Sequence, residues 1–395
     1  MTMSYLFFDD QEEVIVLTTK RATPPWLRIL LIFLAILLAL GLVVAGVISW
    51  RYHVVHQRLK RDMAVLIQEE EHIRSLGGIN AVDDIIDPRA AKSWRFRYLS
   101  SVRARKGRSA PEIQVLKVDY DGFDARAELM VDGVRQYRHY RLYGSRDWRR
   151  APFIATGWGY KQSIARPGSF EIIYWDEDEA FAQELAANLP ELQRMMQQLG
   201  LAPANTKLMI IPQEFGDAAR PAQKTRGWVL NSPHVDMIDP PLPALTPPQM
   251  LRVALAKGVI DGARAQMDSK QQLPGAARVQ SAIDEILAWQ WAVDDVPAAV
   301  IAGWNKTLGG YWVSPATGLP PQLLTVLPPD APDAAARLMM AWLLREKGPD
   351  ALLALHAALP TATTWDEAYE AATGLKAAQV EELTRQWLVS AQSGP

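Results

Sequence analysis

A chain of 395 residues with 42 Lys and Arg against 44 Asp and Glu has a formal net charge of −2. That length suffices for two or three hydrophobic cores, and the balance lacks the basicity of a dedicated nucleic-acid binder. Cys is absent, which excludes disulfides, thiol catalysis and Cys-ligated zinc. The six His are scattered. Only His53 and His56 lie close together, and without an adjacent Glu they read as interfacial or solvated.

Residues 1–28 form a polar tail with an acidic run, Asp9 to Glu13, a candidate strand over Val14–Thr19, and the bases Lys20, Arg21 and Arg28. Ile29 to Trp50 holds 22 residues without a charge, about 33 Å as a helix and enough to cross a bilayer. Trp26, Trp50 and Tyr52 stand at its ends, where amphipathic rings favour the headgroup level. A signal peptide fits poorly, because the run is long and no small-x-small cleavage site follows. Lys20, Arg21 and Arg28 precede the span and Arg51, Arg58, Lys60 and Arg61 follow it, too even a division to set its orientation.

Arg51 to Leu76 continues as a helix with Leu59, Met63, Leu66 and Ile73 on one stripe and a polar Glu69–His72 segment; Gly77-Gly78 ends it. Helices over Ala81–Ile86 and Ala90–Arg105 follow. Alternating patterns then predict strands over Ile113–Tyr120, Ala125–Val131, Arg135–Tyr143 and Trp148–Arg150, with turns at Asp121-Gly122 and Asp132-Gly133. Helices followed by an antiparallel meander argue an α+β unit. Between Arg89 and Arg150, 16 Lys and Arg face 7 Asp and Glu. That excess reads either as a contact for anionic lipid headgroups or an acidic partner, or as a solvated sheet face, since Arg135, Arg138 and Arg141 fall on both faces of one strand. No nucleic-acid motif interleaves with the charge.

Pro152 to Pro167 reads as a connector. A strand at Phe170–Tyr174 leads to a helix that starts on Asp176–Glu179 and runs to Gln198, interrupted at Pro190. Strands are expected at Thr206–Gln213, Gly227–Asn231 and Val235–Asp239. A Pro-rich hinge, Pro240 to Pro248, then feeds a helix over Pro248–Met267, and a second helix covers Ala276–Trp291. Helical patterns over Ala334–Glu346, Gly348–Leu359, Thr364–Gly374 and Glu381–Trp387 complete the chain.

The element order over residues 55–153, ending in Tyr140-Arg-Leu-Tyr143 and Asp147-Trp-Arg-Arg150, resembles the cystatin-like cone of the nuclear-transport-factor type. Residues 168–390 resemble the gluzincin metallopeptidases (peptidase MA-like). Members of that family carry His-Glu-x-x-His on one helix and a Glu ligand on the next, so that three ligands hold zinc and the Glu after the first His is the general base. The positions here are Lys257, Gly258 and Asp261, with Glu285 in Glu285-Ile-Leu-Ala-Trp289. Both His ligands and the base are missing, and only the second-helix Glu matches.

Three readings of these four positions stay open on the residues alone. They can be ordinary packing and surface residues. They can be a lost zinc site in which Lys257 supplies the positive charge between Asp261 and Glu285. The third reading, a metal site with altered ligands, is chemically poor: one Asp and one Glu without His bind zinc weakly, a Lys ammonium repels the metal, and Gly258 cannot act as a base. Ser232 and Ser281 have no identifiable His and acid partners, and Gly157-Trp158-Gly159 is too short for a phosphate loop.

The expected fold is α+β: a tail (1–28), a transmembrane helix (29–50), a small cone with an antiparallel sheet (51–153), and a gluzincin-like domain with a largely helical C-terminal half (154–395). No catalytic residue, metal or cofactor is expected. The partners expected are the membrane, through Ile29–Trp50, a peptide or protein, and anionic headgroups at the basic cone, with no nucleic acid. The resemblance places a single-pass protein in the cell membrane with its C-terminal domains outside, as a binding or scaffolding pseudoenzyme. A membrane-anchored peptidase with unorthodox residues and a structural subunit of a membrane assembly are the alternatives.

Overall fold

The computed structural model describes residues 25–392 apart from 145–146, 154–157, 167–169, 202–205, 223–226, 238–244, 266–272 and 318–326. The acidic run and the strand expected at Val14–Thr19 therefore lie outside the described residues, as do Gly157 and Pro240–Pro243. The fold is α+β, and the chain forms two compact units, Met1–Leu59 and Lys60–Pro395.

Helix α1 runs unbroken from Pro25 to Leu76 and is long and apolar enough in its first part to cross a membrane. In the first unit its large apolar side chains from Ile29 to Trp50 are exposed. A continuous apolar surface of this length is of the kind that a bilayer covers. In the second unit the helix changes character. Met63 and Ile67 are fully buried, and the buried line continues through Glu70, Glu71 and Arg74. The polar segment after Ile67 is thus interior on one side rather than a solvated face. Gly77, at φ +67°, turns the chain out of the helix.

Helices α2 (Ile79–Ile85) and α3 (Lys92–Arg105) precede a four-stranded antiparallel sheet, β1 (Ile113–Asp121), β2 (Asp124–Val131), β3 (Val134–Tyr143) and β4 (Asp147–Ala151), in sequential order. Asp132 and Gly133 both take positive φ, the two-residue turn that a right-twisted hairpin needs. Val115 pairs with Leu129 and Lys117 with Glu128, so Leu116 is a bulge. Lys60 donates to the Leu116 carbonyl at 2.9 Å and blunts this edge. The small, fully buried Ala125 and Ala127 share a face with Tyr140 and Arg138 of β3 and leave room there for long side chains.

A second, mixed sheet has the order β5-β6-β7-β9-β8: β5 (Lys161–Arg166), β6 (Phe170–Trp175), β7 (Thr206–Ile211), β8 (Ala219–Pro221) and β9 (Gly227–Asn231). β6, β7 and β9 are parallel, and both edges are antiparallel. β5 lies inside the expected connector. Its polar sequence conceals it, because an edge strand hydrogen-bonds through its backbone and needs little burial. Helix α4 (Glu179–Gln198) crosses between β6 and β7 and continues through Pro190, its apolar face held in the core by Phe181, Leu185, Leu189 and Leu192. Of the strand expected at Val235–Asp239, Ile238 and Asp239 lie outside the described residues, and the described part, Val235–Met237, makes one bridge, from Met237 to Gly216.

Seven helices complete the described chain: α5 (Pro247–Arg264), α6 (Ala276–Val293), α7 (Ala298–Thr307), α8 (Ala331–Lys347), α9 (Pro349–Ala358), α10 (Trp365–Thr373) and α11 (Ala377–Gln392). A capping box between Thr246 and Gln249 starts α5. Helix α8 is buried nearly all round, from Ala334 through Leu344, as befits a central helix. The segment Ser232–Met237 joins the two sheets. Its His234 carbonyl accepts from the Tyr137 amide at 2.8 Å, while Ser232 Oγ (2.5 Å) and Trp158 Nε1 (2.7 Å) both donate to buried Asp178. Burial raises the Asp178 carboxyl above its ordinary range against the pull of these two donors. Ser232 thus has in Asp178 an acid partner that the sequence did not identify, and both side chains are fully buried.

Candidate functional site

Helices α5 and α6 carry the four positions singled out in the sequence. Lys257 Nζ lies 3.3 Å from Glu285 Oε2. A second cation from α8, Arg337, donates its Nε–H to the same oxygen at 2.8 Å. Arg337 also stands 6.0 Å from the Trp304 ring of α7. The Glu285 side chain is 13 % exposed and that of Lys257 43 %, so the carboxylate is interior and the ammonium reaches it from the rim. Asp261, one turn beyond Lys257, is exposed and forms no ion pair with it among the described residues. Burial raises the Asp261 carboxyl against the pull of Lys257, with Asp284 and Glu285 adding to the rise, so Asp261 is within electrostatic reach of the pair. The direct contact is that of Lys257 with Glu285, completed by Arg337, which the sequence reading did not include. A charged residue 52 positions away carries no local signal of that role.

Gly258 faces a different neighbour. A Cβ at this position would stand 2.4 Å and 2.5 Å from two ring carbons of Trp228, and one at Gly262 would stand 3.4 Å from a third. The indole of β9 therefore lies across α5 on the backbone of Gly258. Any side chain here, including the carboxylate that a general base would need, collides with that ring. Gly-x-x-x-Gly on an otherwise ordinary helix was the available signal, since such spacing admits close approach of a flat group.

The next turn is also occupied by compensated charge. Arg264 grips Asp284 through both Nε (3.1 Å to Oδ2) and Nη2 (2.8 Å to Oδ1), and Gln280 donates to Oδ1 at 3.2 Å. Burial raises the Asp284 carboxyl despite Arg264. On α9, burial and then Arg264 push His356 down from 6.5 to about 4. Among the described residues no three His, Asp or Glu side chains are grouped so as to hold a metal.

A second constellation was missed altogether. Four carboxylates (Glu70, Glu71, Glu214 and Asp236) and four guanidinium groups (Arg74, Arg105, Arg138 and Arg150) are all buried, and their formal charges cancel. Glu71 accepts from Arg74 at 2.8 Å, Arg105 at 2.9 Å and Arg138 at 2.7 Å. Asp236 lies within 3.1–3.4 Å of all four arginines. Tyr98 and Tyr140 donate to the two oxygens of Glu70 at 3.0 and 2.9 Å. Arg150, Trp94 Nε1 and the Phe153 amide donate to Glu214. Burial favours the neutral acids, but Arg74, Arg138 and Arg105 hold Glu71 down at about 2, and the same arginines with Arg150 hold Asp236 below its ordinary range. Glu214 goes the other way: burial outweighs Arg150 and raises it.

This cluster revises the solvated-face reading of the basic segment. Arg105, Arg138 and Arg150 are interior, and their counter-ions come from outside that segment, on α1 and in the connections after β7 and β9. Three of the sixteen bases in that segment are therefore neutralised by interior pairing. Comparison with protein-family models, with curated proteins and with solved structures finds no match for this chain.

Proposed function

We propose that the chain is a non-catalytic single-pass membrane protein whose residues 154–395 form a pseudo-metallopeptidase domain of gluzincin type that binds or scaffolds a peptide or protein, behind a cystatin-like cone at 51–153. The observation that carries this reading is the occupation of α5 and α6. Glu285, the one family ligand retained, is held by Lys257 and Arg337, and Trp228 covers Gly258 where a base would stand. Two cations on a carboxylate disfavour a divalent metal there, and an indole on the helix backbone leaves an attacking water without a base. An apolar span in α1 supports the membrane placement, and the resemblance to gluzincins is the ground for assigning the C-terminal domains to the outer side.

The test is elemental analysis of the full chain after exhaustive dialysis. Less than stoichiometric zinc is expected; about one zinc per chain, lost in Glu285→Ala, would overturn the proposal. Protease treatment of intact cells checks the topology. It should remove the C-terminal domains and leave an N-terminal tag intact, and protection of both would refute the outward placement.

A further inference from the structure

The arginines that the interior cluster uses, and those that pair at the surface, leave three exposed cations in the same region. Lys92 and Arg103 of α3 and Lys106 just after it have no ion-pair partner among the described residues. At about 100° per residue Lys92, Phe96 and Arg103 fall on one line of the helix. That line is opposite Trp94, Tyr98 and Arg105, which are buried. Phe96 is 66 % exposed in the middle of it. The Lys106 stem lies across Gly77, where an added Cβ would stand 2.8 Å from its Cδ, and the Gly107 amide donates to the Ser75 carbonyl at 2.9 Å. The stripe is therefore mounted on a helix fixed by its other face and by its C-terminal end.

An exposed aromatic in line with an unpaired cation on either side has the composition of a recognition surface for negative charge with one apolar anchor. Two kinds of anionic partner are chemically open, and the neighbouring helix discriminates between them. The Asp83 side chain on α2 is 72 % exposed beside Arg95 of α3, with Asp84 exposed next to it. A plane of lipid phosphates would meet these carboxylates together with the cations, whereas a polypeptide can place its acids on the stripe alone. We propose that the outward face formed by Lys92, Phe96, Arg103 and Lys106 docks an acidic polypeptide segment, which seats an apolar notch on Phe96 and carboxylates on the three cations.

Fluorescence anisotropy of the full chain in phosphatidylcholine nanodiscs tests this. The probe is a labelled helical peptide bearing Glu around a Leu-Ala notch, with a Lys-for-Glu peptide as its counterpart. Saturable binding of the Glu peptide is expected, weakening about tenfold between low and high salt as screening shortens the reach of the charges. Phe96→Ser should weaken it about fivefold or more. Lys92→Glu with Arg103→Glu should abolish it and confer binding of the Lys peptide. These side chains are exposed, so an unchanged melting curve separates lost docking from lost folding. Absence of saturable binding, or binding undiminished in the charge-reversed variant, would overturn the proposal. Displacement of the peptide when phosphatidylserine is added to the discs would assign the face to lipid and overturn it equally.

Discussion

Replacing Asp236 by Asn changes one atom's chemistry at the centre of the interior cluster. The carboxylate lies 3.1 Å from Arg138 Nε, 3.2 Å from Arg150 Nη2, 3.3 Å from Arg105 Nη2 and 3.4 Å from Arg74 Nη1. Asn keeps the shape and one acceptor but turns a donor toward four guanidinium groups. It leaves three carboxylates facing four arginines in a buried cluster, where bulk solvent does little to screen the surplus. Breaking a buried ion pair by removing one partner costs about 3–5 kcal/mol, because the remaining charge stays desolvated. The upper part of that range is expected here, since all four partners lose by the change. Urea denaturation of the full chain in nanodiscs, followed by tryptophan fluorescence, measures it. Adding Arg105→Gln to Asp236→Asn restores neutrality at the most exposed arginine of the four, 9 % accessible, and should recover about half of the loss. As a control, Lys207→Ala breaks an ion pair with Glu171 whose side chains are 50 % and 40 % exposed and should stay within about 0.5 kcal/mol. An Asp236→Asn cost below about 1 kcal/mol, or no recovery in the double variant, refutes the claim that charge compensation holds these elements together.

Other perturbations follow from the same geometry. Gly258→Ala should destabilise by about 1–3 kcal/mol, because the new methyl meets the Trp228 ring; Trp228→Ala in the same chain should relieve most of the clash, and equal melting of Gly258→Ala and wild type would refute the contact. Lys257→Met should cost less than about 1 kcal/mol, since the ammonium is 43 % exposed and Arg337 still holds Glu285. Arg337→Met should cost more than Lys257→Met, and the reverse order in parallel melts would reject Arg337 as the main counter-ion. His356 titrates at about 4 in the folded chain against 6.5 ordinarily, so the unfolded chain binds its proton first. Its contribution to stability should therefore fall as pH drops from 6.5 toward 4, and His356→Leu should remove that component of the slope. The stabilisation from Glu71, held at about 2, and from the depressed Asp236 is lost progressively as pH falls from the ordinary carboxylate range through their folded values, while Glu214, raised by burial, takes up its proton above that range and acts in the opposite direction.

Local patterns in the sequence were sufficient for much of the architecture. An uncharged run from Ile29 to Trp50 is long and apolar enough to cross a membrane as a helix, and α1 is helical throughout it. Asp132-Gly133 takes the two positive φ values that its hairpin requires, and the helix pair α5 and α6 starts within a residue of its predicted positions. Short or polar elements were not legible. The edge strand β5 and the three-residue β8 are defined by backbone pairing to neighbours, which leaves no period in side-chain polarity to read.

The candidate site divides along the same line. That Lys257, Gly258 and Asp261 do not form a His-Glu-x-x-His motif is legible in the sequence, and the contact between Lys257 and Glu285 follows from placing two adjacent helices side by side. That Arg337 rather than Asp261 completes the contact, and that Trp228 lies on Gly258, required the packing of α8 and β9. The interior cluster is the extreme case. Glu70, Glu71 and Arg74, spaced for one helix face, read identically whether that face meets water or protein. Their burial is possible only because Arg138, 67 residues from Glu71, and Asp236, 162 residues from Arg74, arrive at the same point. A charge leaves water only where an opposite charge waits for it, and only the tertiary structure decides where the two meet.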